Sequence, residues 1–274
     1  MTVDAVDVFL LFVKTVLLRP YVFVFLAAFL YAAPRLIGWP RTWRFWLISW
    51  ATAFLCEYSS TRTGIPFGWY FYNGSTVGEE LYLSNIPFMD SLSFSFLLYS
   101  AYSVALGLIL PFNSSPTSSD QPLRQLRFDL TSRTSWPVFM LTAFLFAFID
   151  MVIDPIALRG DQWFLGKIYY YPDPGVHFGV PLANYLGWAV VSLISLAIYF
   201  PLDRRLPSLM TNPLITRHLF LGVGLYYGVL IFNLGMTFWI GEIGLGLSGF
   251  FMHLPVLIVL IIRLVPRSRP QFLP

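Results

Sequence analysis

Seven apolar stretches, each close to the ~20 residues that a bilayer requires, leave this chain almost one architecture. A bilayer offers no hydrogen bonds to a bare backbone, so segments of that length must be helices. They run approximately over 20–37, 43–59, 86–110, 136–157, 181–201, 217–239 and 243–264. Only 11% of the 274 residues are charged, where a soluble protein carries about a quarter. The expected fold is an all-α polytopic membrane bundle of about seven transmembrane helices, forming a single domain over residues 1–274. Residues 1–19 read as a short N-terminal helix lying in the interface, with Asp4 and Asp7 where a cleaved signal peptide needs basic residues. Residues 112–135, rich in Ser, Pro, Asp and Arg, read as a cytoplasmic linker between two halves.

Loop charge then orients the bundle. Arg35, Arg41, Arg44, Arg124, Arg127, Arg133, Arg204, Arg205, Arg217, Arg263, Arg267 and Arg269 fall on one side; Arg62, Arg159 and Lys167 fall on the other. The positive-inside rule therefore expects a multi-pass protein of the cell (cytoplasmic) membrane with a cytoplasmic C-terminus. A net charge of +3 distributed this way gives no reason to expect a nucleic-acid partner.

Inside the apolar runs, acids and aromatic boxes recur in one order. Glu57 and Asp154 each end a stretch, and nine residues later come Pro66-Phe67-Gly68-Trp69-Tyr70 and Trp163-Phe164-Leu165-Gly166. A tyrosine-rich run and a proline follow, Pro87 or Pro181, with Asp90 or Asn184 three residues on. Glu57 to Asp154 and Phe67 to Phe164 share an offset of 97; Pro87 to Pro181, Asp90 to Asn184 and Phe94 to Trp188 share one of 94. This predicts a parallel internal repeat with both aromatic loops facing outward.

Acids cost roughly 2.5–3.5 kcal/mol each at the centre of a membrane helix, so a recurring set of them points to function. Asp150 and Asp154 lie on one helix face, and two carboxylates that close in a dry setting do not both ionise. A carboxyl that keeps its proton is a strong general acid. The aromatic boxes suit a cation formed by protonating an alkene. Single residues such as Tyr82, Tyr169 and Tyr170 read instead as ordinary interfacial belt.

Other chemistries find little support. Cys56 is the single cysteine, and His177, His218 and His253 form no ligand pair, so no metal site and no cofactor is expected. No glycine-rich phosphate motif and no Gly-x-Ser-x-Gly occurs. Lys14 and Lys167 are the only lysines, which leaves the last span without a Schiff-base partner for a retinal.

With these residues in hand, the chain resembles the CruF-type integral-membrane carotenoid-biosynthesis proteins, the terminal-bond carotenoid hydratases. Glu57 with Gly64-Ile65-Pro66-Phe67-Gly68-Trp69-Tyr70 and Ile86-Pro87-Phe88 carries the first half of the likeness. Asp150-x-x-x-Asp154-Pro155, Gly160-Asp161-Gln162-Trp163 and Gly179-Val180-Pro181-Leu182-Ala183-Asn184-Tyr185-Leu186-Gly187-Trp188 carry the second. The resemblance implies a lyase that adds water to the terminal double bond of an acyclic carotenoid end group. Its partners would be a polyene substrate, water and the bilayer, with room for association with other carotenoid-biosynthesis enzymes. The expected catalytic set is Asp154, Asp150, Glu57, Asp90 and Asn184. The expected substrate-binding set is Arg62, Phe67, Trp69, Tyr70, Trp163, Phe164, Tyr185, Trp188 and His177, with Arg62 holding one carboxylate ionised. Three alternatives stay open: a proton-initiated carotenoid or isoprenoid cyclase, a membrane prenyltransferase, and a non-enzymatic carotenoid-binding or transport protein.

Overall fold

Helices follow wherever the apolar runs predict them. The computed structural model describes residues 5–112, 125–207, 209 and 215–264. In chain order come α1 (Ala5–Leu18), α2 (Pro20–Ile37) and α3 (Trp39–Thr63). Short strands β1 (Phe71–Tyr72), β2 (Tyr82–Leu83) and β3 (Ile86–Pro87) precede α4 (Phe88–Ile109). Then follow α5 (Leu130–Arg133), α6 (Trp136–Ala157), β4 (Tyr169–Tyr170), α7 (Leu182–Arg204), α8 (Ile215–Trp239) and α9 (Ile243–Leu264). Prolines open α2, α3 and α6, at positions where a helix has no use for the missing N–H.

The chain is a multi-pass membrane protein. Among the described residues, six helices, α2, α4, α6, α7, α8 and α9, are long and apolar enough to cross a bilayer. The expected stretch at 43–59 forms α3, whose 25 residues have the length but not the hydropathy. Its polar residues face the bundle: Thr42, Ser49, Thr52, Glu57 and Ser60 are all buried. Thr42 and Ser49 donate back to carbonyls four residues earlier, Gly38 and Phe45, which satisfies them within the helix.

α3, α4, α6 and α7 form a ring in which α3 and α6 each touch both α4 and α7. α2 and α8 cover the outer side of α4, and α9 closes against α8, α4 and α6. The two aromatic loops meet at one end of this ring. There β1 pairs antiparallel with β4, with Tyr72 opposite Tyr169 and Phe71 opposite Tyr170. Tyr72 and Tyr169 are matched positions of the repeat, so the halves meet around a local two-fold relation. Deeper in, the matched rings of Phe94 and Trp188 stack with centroids 4.4 Å apart.

α1 docks on the first loop through Thr15, which accepts from Leu81 N at 2.7 Å, and through Phe12 against Phe88. Arg19, just after it, is fully buried and pairs with Glu80 at 3.1 Å. The expected linker 112–135 is described only in part. Phe112 bridges Leu126, α5 follows, and residues 113–124 lie outside the described residues, as do 1–4, Arg267 and Arg269.

At the end of the ring opposite the aromatic loops, Asp203 of α7 is fully buried between Arg41 and Arg133, bonded to both. Removing a shared buried anion leaves two guanidiniums uncompensated, at a cost of about 3–5 kcal/mol. Asp203→Leu is therefore expected to lower the thermal unfolding midpoint in detergent by many degrees. An unchanged midpoint would show that the triad does not hold these helix ends together.

Candidate active site

Strand geometry decides which tyrosines enter the bundle. Side chains alternate along β1 and β4, so Tyr70 and Tyr72 face inward with Tyr169 and Tyr171, while Phe71 and Tyr170 pack on each other outside. Tyr169 is 7% exposed against 43% for its neighbour Tyr170, so the interfacial-belt reading fits Tyr170 and fails for Tyr169.

Beneath the strands lie the acids. Glu57, from α3, accepts from the Tyr72 hydroxyl at 3.3 Å and from Ser91 of α4. The same Tyr72 hydroxyl reaches Asp90, near the start of α4. Across the two-fold relation, the Asn184 amide of α7 donates to Asp150 at 2.6 Å and to Asp154 at 2.8 Å. Tyr171 donates to Asp154 at 2.7 Å. One tyrosine thus bridges two acids in the first half, and one asparagine bridges two acids in the second. Among the described residues, the ion pairs lie elsewhere: Arg19 with Glu80, Arg41 and Arg133 with Asp203, Arg127 with Asp129, and Arg159 with Glu242.

Two cavities meet at this cluster. One, about 700 Å³ including its mouth, is mainly apolar and is bounded by Tyr21 and Phe25 of α2 and Phe232 of α8. The other, about 330 Å³ including its mouth, is lined by Glu57, Tyr70, Tyr72, Tyr171 and Asn184 under the strands. Asp90, Asp154, Tyr169 and Trp188 line both and form the wall they share.

Of the expected residues, the structure gathers Glu57, Asp90, Asp150, Asp154, Asn184, Phe67, Tyr70 and Trp188 around the cluster, and Trp163 lines the apolar cavity. It does not bring in the others. Arg62 lies outside, its guanidinium over the Tyr58 ring and bonded to Ser84, with no carboxylate partner among the described residues. Trp69 is half exposed and covers Gly64, whose φ of 74° ends α3 and whose Cβ, if present, would strike the indole. Phe164 is half exposed at the rim beside Tyr21. Tyr185 is buried next to His177 but lines neither cavity.

His177 has a different task. Pro155 has no N–H to give to the carbonyl four residues back, and the His177 ring donates to that carbonyl, Met151 O, at 3.1 Å. The histidine caps the gap beside Asp154 instead of facing substrate. Sequence reasoning missed Tyr72, Tyr171 and Ser91 as carboxylate partners and Tyr21, Ser93 and Asn233 as cavity lining. Period-two spacing within the tyrosine runs was the signal for the loop tyrosines; Tyr21 and Asn233 carried none. Among the described residues, no three His, Cys, Asp or Glu side chains are arranged to hold a metal ion.

Burial pushes the hydroxyls of Tyr72, Tyr169 and Tyr171 well above the ordinary tyrosine range, with the Asp90 charge adding at Tyr72 and the Asp154 charge at the other two. The folded protein keeps these protons beyond about pH 10, where an unfolded tyrosine loses its own. Their contribution to stability is complete below about pH 10 and is lost as pH rises above it. Alkaline titration should show the tyrosinate absorbance of these three appearing only with unfolding, and a variant with all three changed to Phe should lose part of that pH dependence. Full, reversible tyrosine ionisation near pH 10 in the folded protein would contradict this.

A family model described as carotenoid biosynthesis protein matches residues 15–255. No curated protein and no solved structure matches the chain.

Proposed function

The chain belongs to the carotenoid biosynthesis protein family, and from that premise we propose that it is a carotenoid hydratase, a lyase of the hydro-lyase type. One observation carries the reading: an apolar cavity and a smaller one, where carboxyl, hydroxyl and amide groups stand among aromatic rings, share a wall that contains Asp90 and Asp154. A polyene end and a water molecule need different surroundings and must meet at an acid. A cyclase needs the apolar room and the acid but has no use for that smaller room beside them, so the second cavity favours hydration.

Asp154 is the proposed proton donor, held by Tyr171 and Asn184 and adjoining Asp150 through that same asparagine. Four buried acids with no cation on them among the described residues hold charge poorly, so the group retains protons to give. The proton passes to the inner, hydrogen-bearing carbon of the terminal C=C, leaving a tertiary cation on the outer carbon that bears the two methyls. Aromatic faces along the shared wall, Trp188 and Tyr169, stabilise that cation, by about 2 kcal/mol or more where water is excluded. A water held by Asn184 and the Glu57–Tyr72–Asp90 group adds to the cation, and a carboxylate of that group takes its spare proton. The acids end with as many protons as they began with, and the substrate has gained one water as a tertiary alcohol. No step uses a metal or an organic cofactor.

The same reading puts the protein in the cytoplasmic membrane with its C-terminus in the cytoplasm. Its support is the gathering of Arg41, Arg133, Arg204 and Arg263 at the end of the bundle away from the tyrosine loops.

Asp154→Asn and Glu57→Gln are each expected to reduce hydration by about 10²-fold or more while the protein still inserts and folds. The measurement is pigment mass in a host that accumulates lycopene: hydration adds one water per reacted end. A product of unchanged mass would replace hydration by cyclisation. Normal hydroxylated product from both variants would remove the assigned site.

A further inference from the structure

The two halves are matched in sequence but not in what fills them. In the first half, Phe67 is 2% exposed and sits in a socket. Its backbone N–H donates to Ser60 Oγ at 2.9 Å, its ring lies edge-on to Phe94 at 6.0 Å, and it presses on Gly187. A Cβ on Gly187 would come within 2.3 Å of that ring, so glycine is what makes the space. By the repeat offsets, the counterparts of Ser60, Phe94 and Gly187 are Ala157, Trp188 and Ser93. All three line the open apolar cavity. The counterpart of Phe67 itself is Phe164, which has swung to the rim and packs on Tyr21 and Trp163. One socket is plugged by the protein's own apolar ring; the other forms part of the apolar cavity bounded by α2 and α8.

We propose that the terminal isoprene unit of the polyene seats over Ser93, in the second socket, as Phe67 seats over Gly187 in the first, and that the size of residue 93 selects which end groups fit. This rests on the hydratase reading and deepens it. An end group placed there lies against the wall that holds Asp90 and Asp154, with Tyr21, Phe25 and Phe232 bounding the same cavity on the side of α2 and α8. The Ser93 hydroxyl is occupied by the Asp90 carbonyl at 2.7 Å, so the residue presents its small size to the cavity and not a free donor.

The test uses the full-length protein carrying Asp154→Asn, which blocks chemistry, with lycopene in detergent micelles as the probe. Adding Ser93→Leu should weaken lycopene binding, followed by its absorption shift, by about tenfold or more, the scale of an overfilled pocket. A gentler variant, Ser93→Cys in a Cys56→Ala background, should react with an apolar methanethiosulfonate, and bound lycopene should slow that reaction several-fold. Labelling that ignores saturating lycopene, undiminished affinity in a folded Ser93→Leu protein, or failure of lycopene to bind at all would overturn the subsite. Protection at residue 93 without hydration by the unmodified protein would uphold the subsite and remove the hydratase reading; hydration without protection would do the reverse.

Discussion

Everything at the centre of this bundle depends on placing four carboxyl groups in its buried interior with no cation on them among the described residues. Such an arrangement is costly unless each oxygen finds a hydrogen-bond donor, because the desolvation of an unpaired buried charge is far larger than any single contact returns. The donors here are neutral, Tyr72 and Ser91 on one side and Asn184 and Tyr171 on the other, and they leave Asp150 Oδ1 buried without a partner among the described residues. Arginines would have stabilised the acids more simply, but an arginine fixes the charge that a proton-transfer site needs to move. Among the described residues, the buried Arg–carboxylate pairs are those of Asp203 at one end and Glu80 at the other.

The loops that supply the tyrosines must be held rigidly, and they are held by each other. Pairing of β1 with β4 satisfies backbone groups that would otherwise lie bare near the membrane. Arg19 bonds both the Glu80 carboxylate and the Leu165 carbonyl, which ties the first loop to the second. His177 fastens the second loop to α6 at the carbonyl that Pro155 leaves open. Each of these contacts sets where a tyrosine or a carboxylate stands.

Much of this was legible in the sequence because hydropathy, period and offset are strong signals. The helix limits of α2 and α6 agree with the apolar runs at both ends, and the 97- and 94-residue offsets paired Glu57 with Asp154 and Asp90 with Asn184, which the structure brings to one site. α3 was harder, since a helix that buries Glu57, Ser49 and Thr52 against neighbours looks too polar to span. Aromatic residues defeated sequence reasoning most often. Trp69 and Phe164 belong to the boxes yet lie half exposed, whereas Tyr72 and Tyr169 hold the centre. Composition marks an aromatic loop but does not say which face of a two-residue strand turns inward.

The stack of Phe94 on Trp188 has one more consequence. These rings belong to opposite halves and bear on each other at van der Waals distance, so width added to one must be surrendered by the other. Remodelling either cavity in isolation is therefore resisted at this depth: a change of ring size in one is felt in the other, and the chain can be re-tooled there only in compensating pairs.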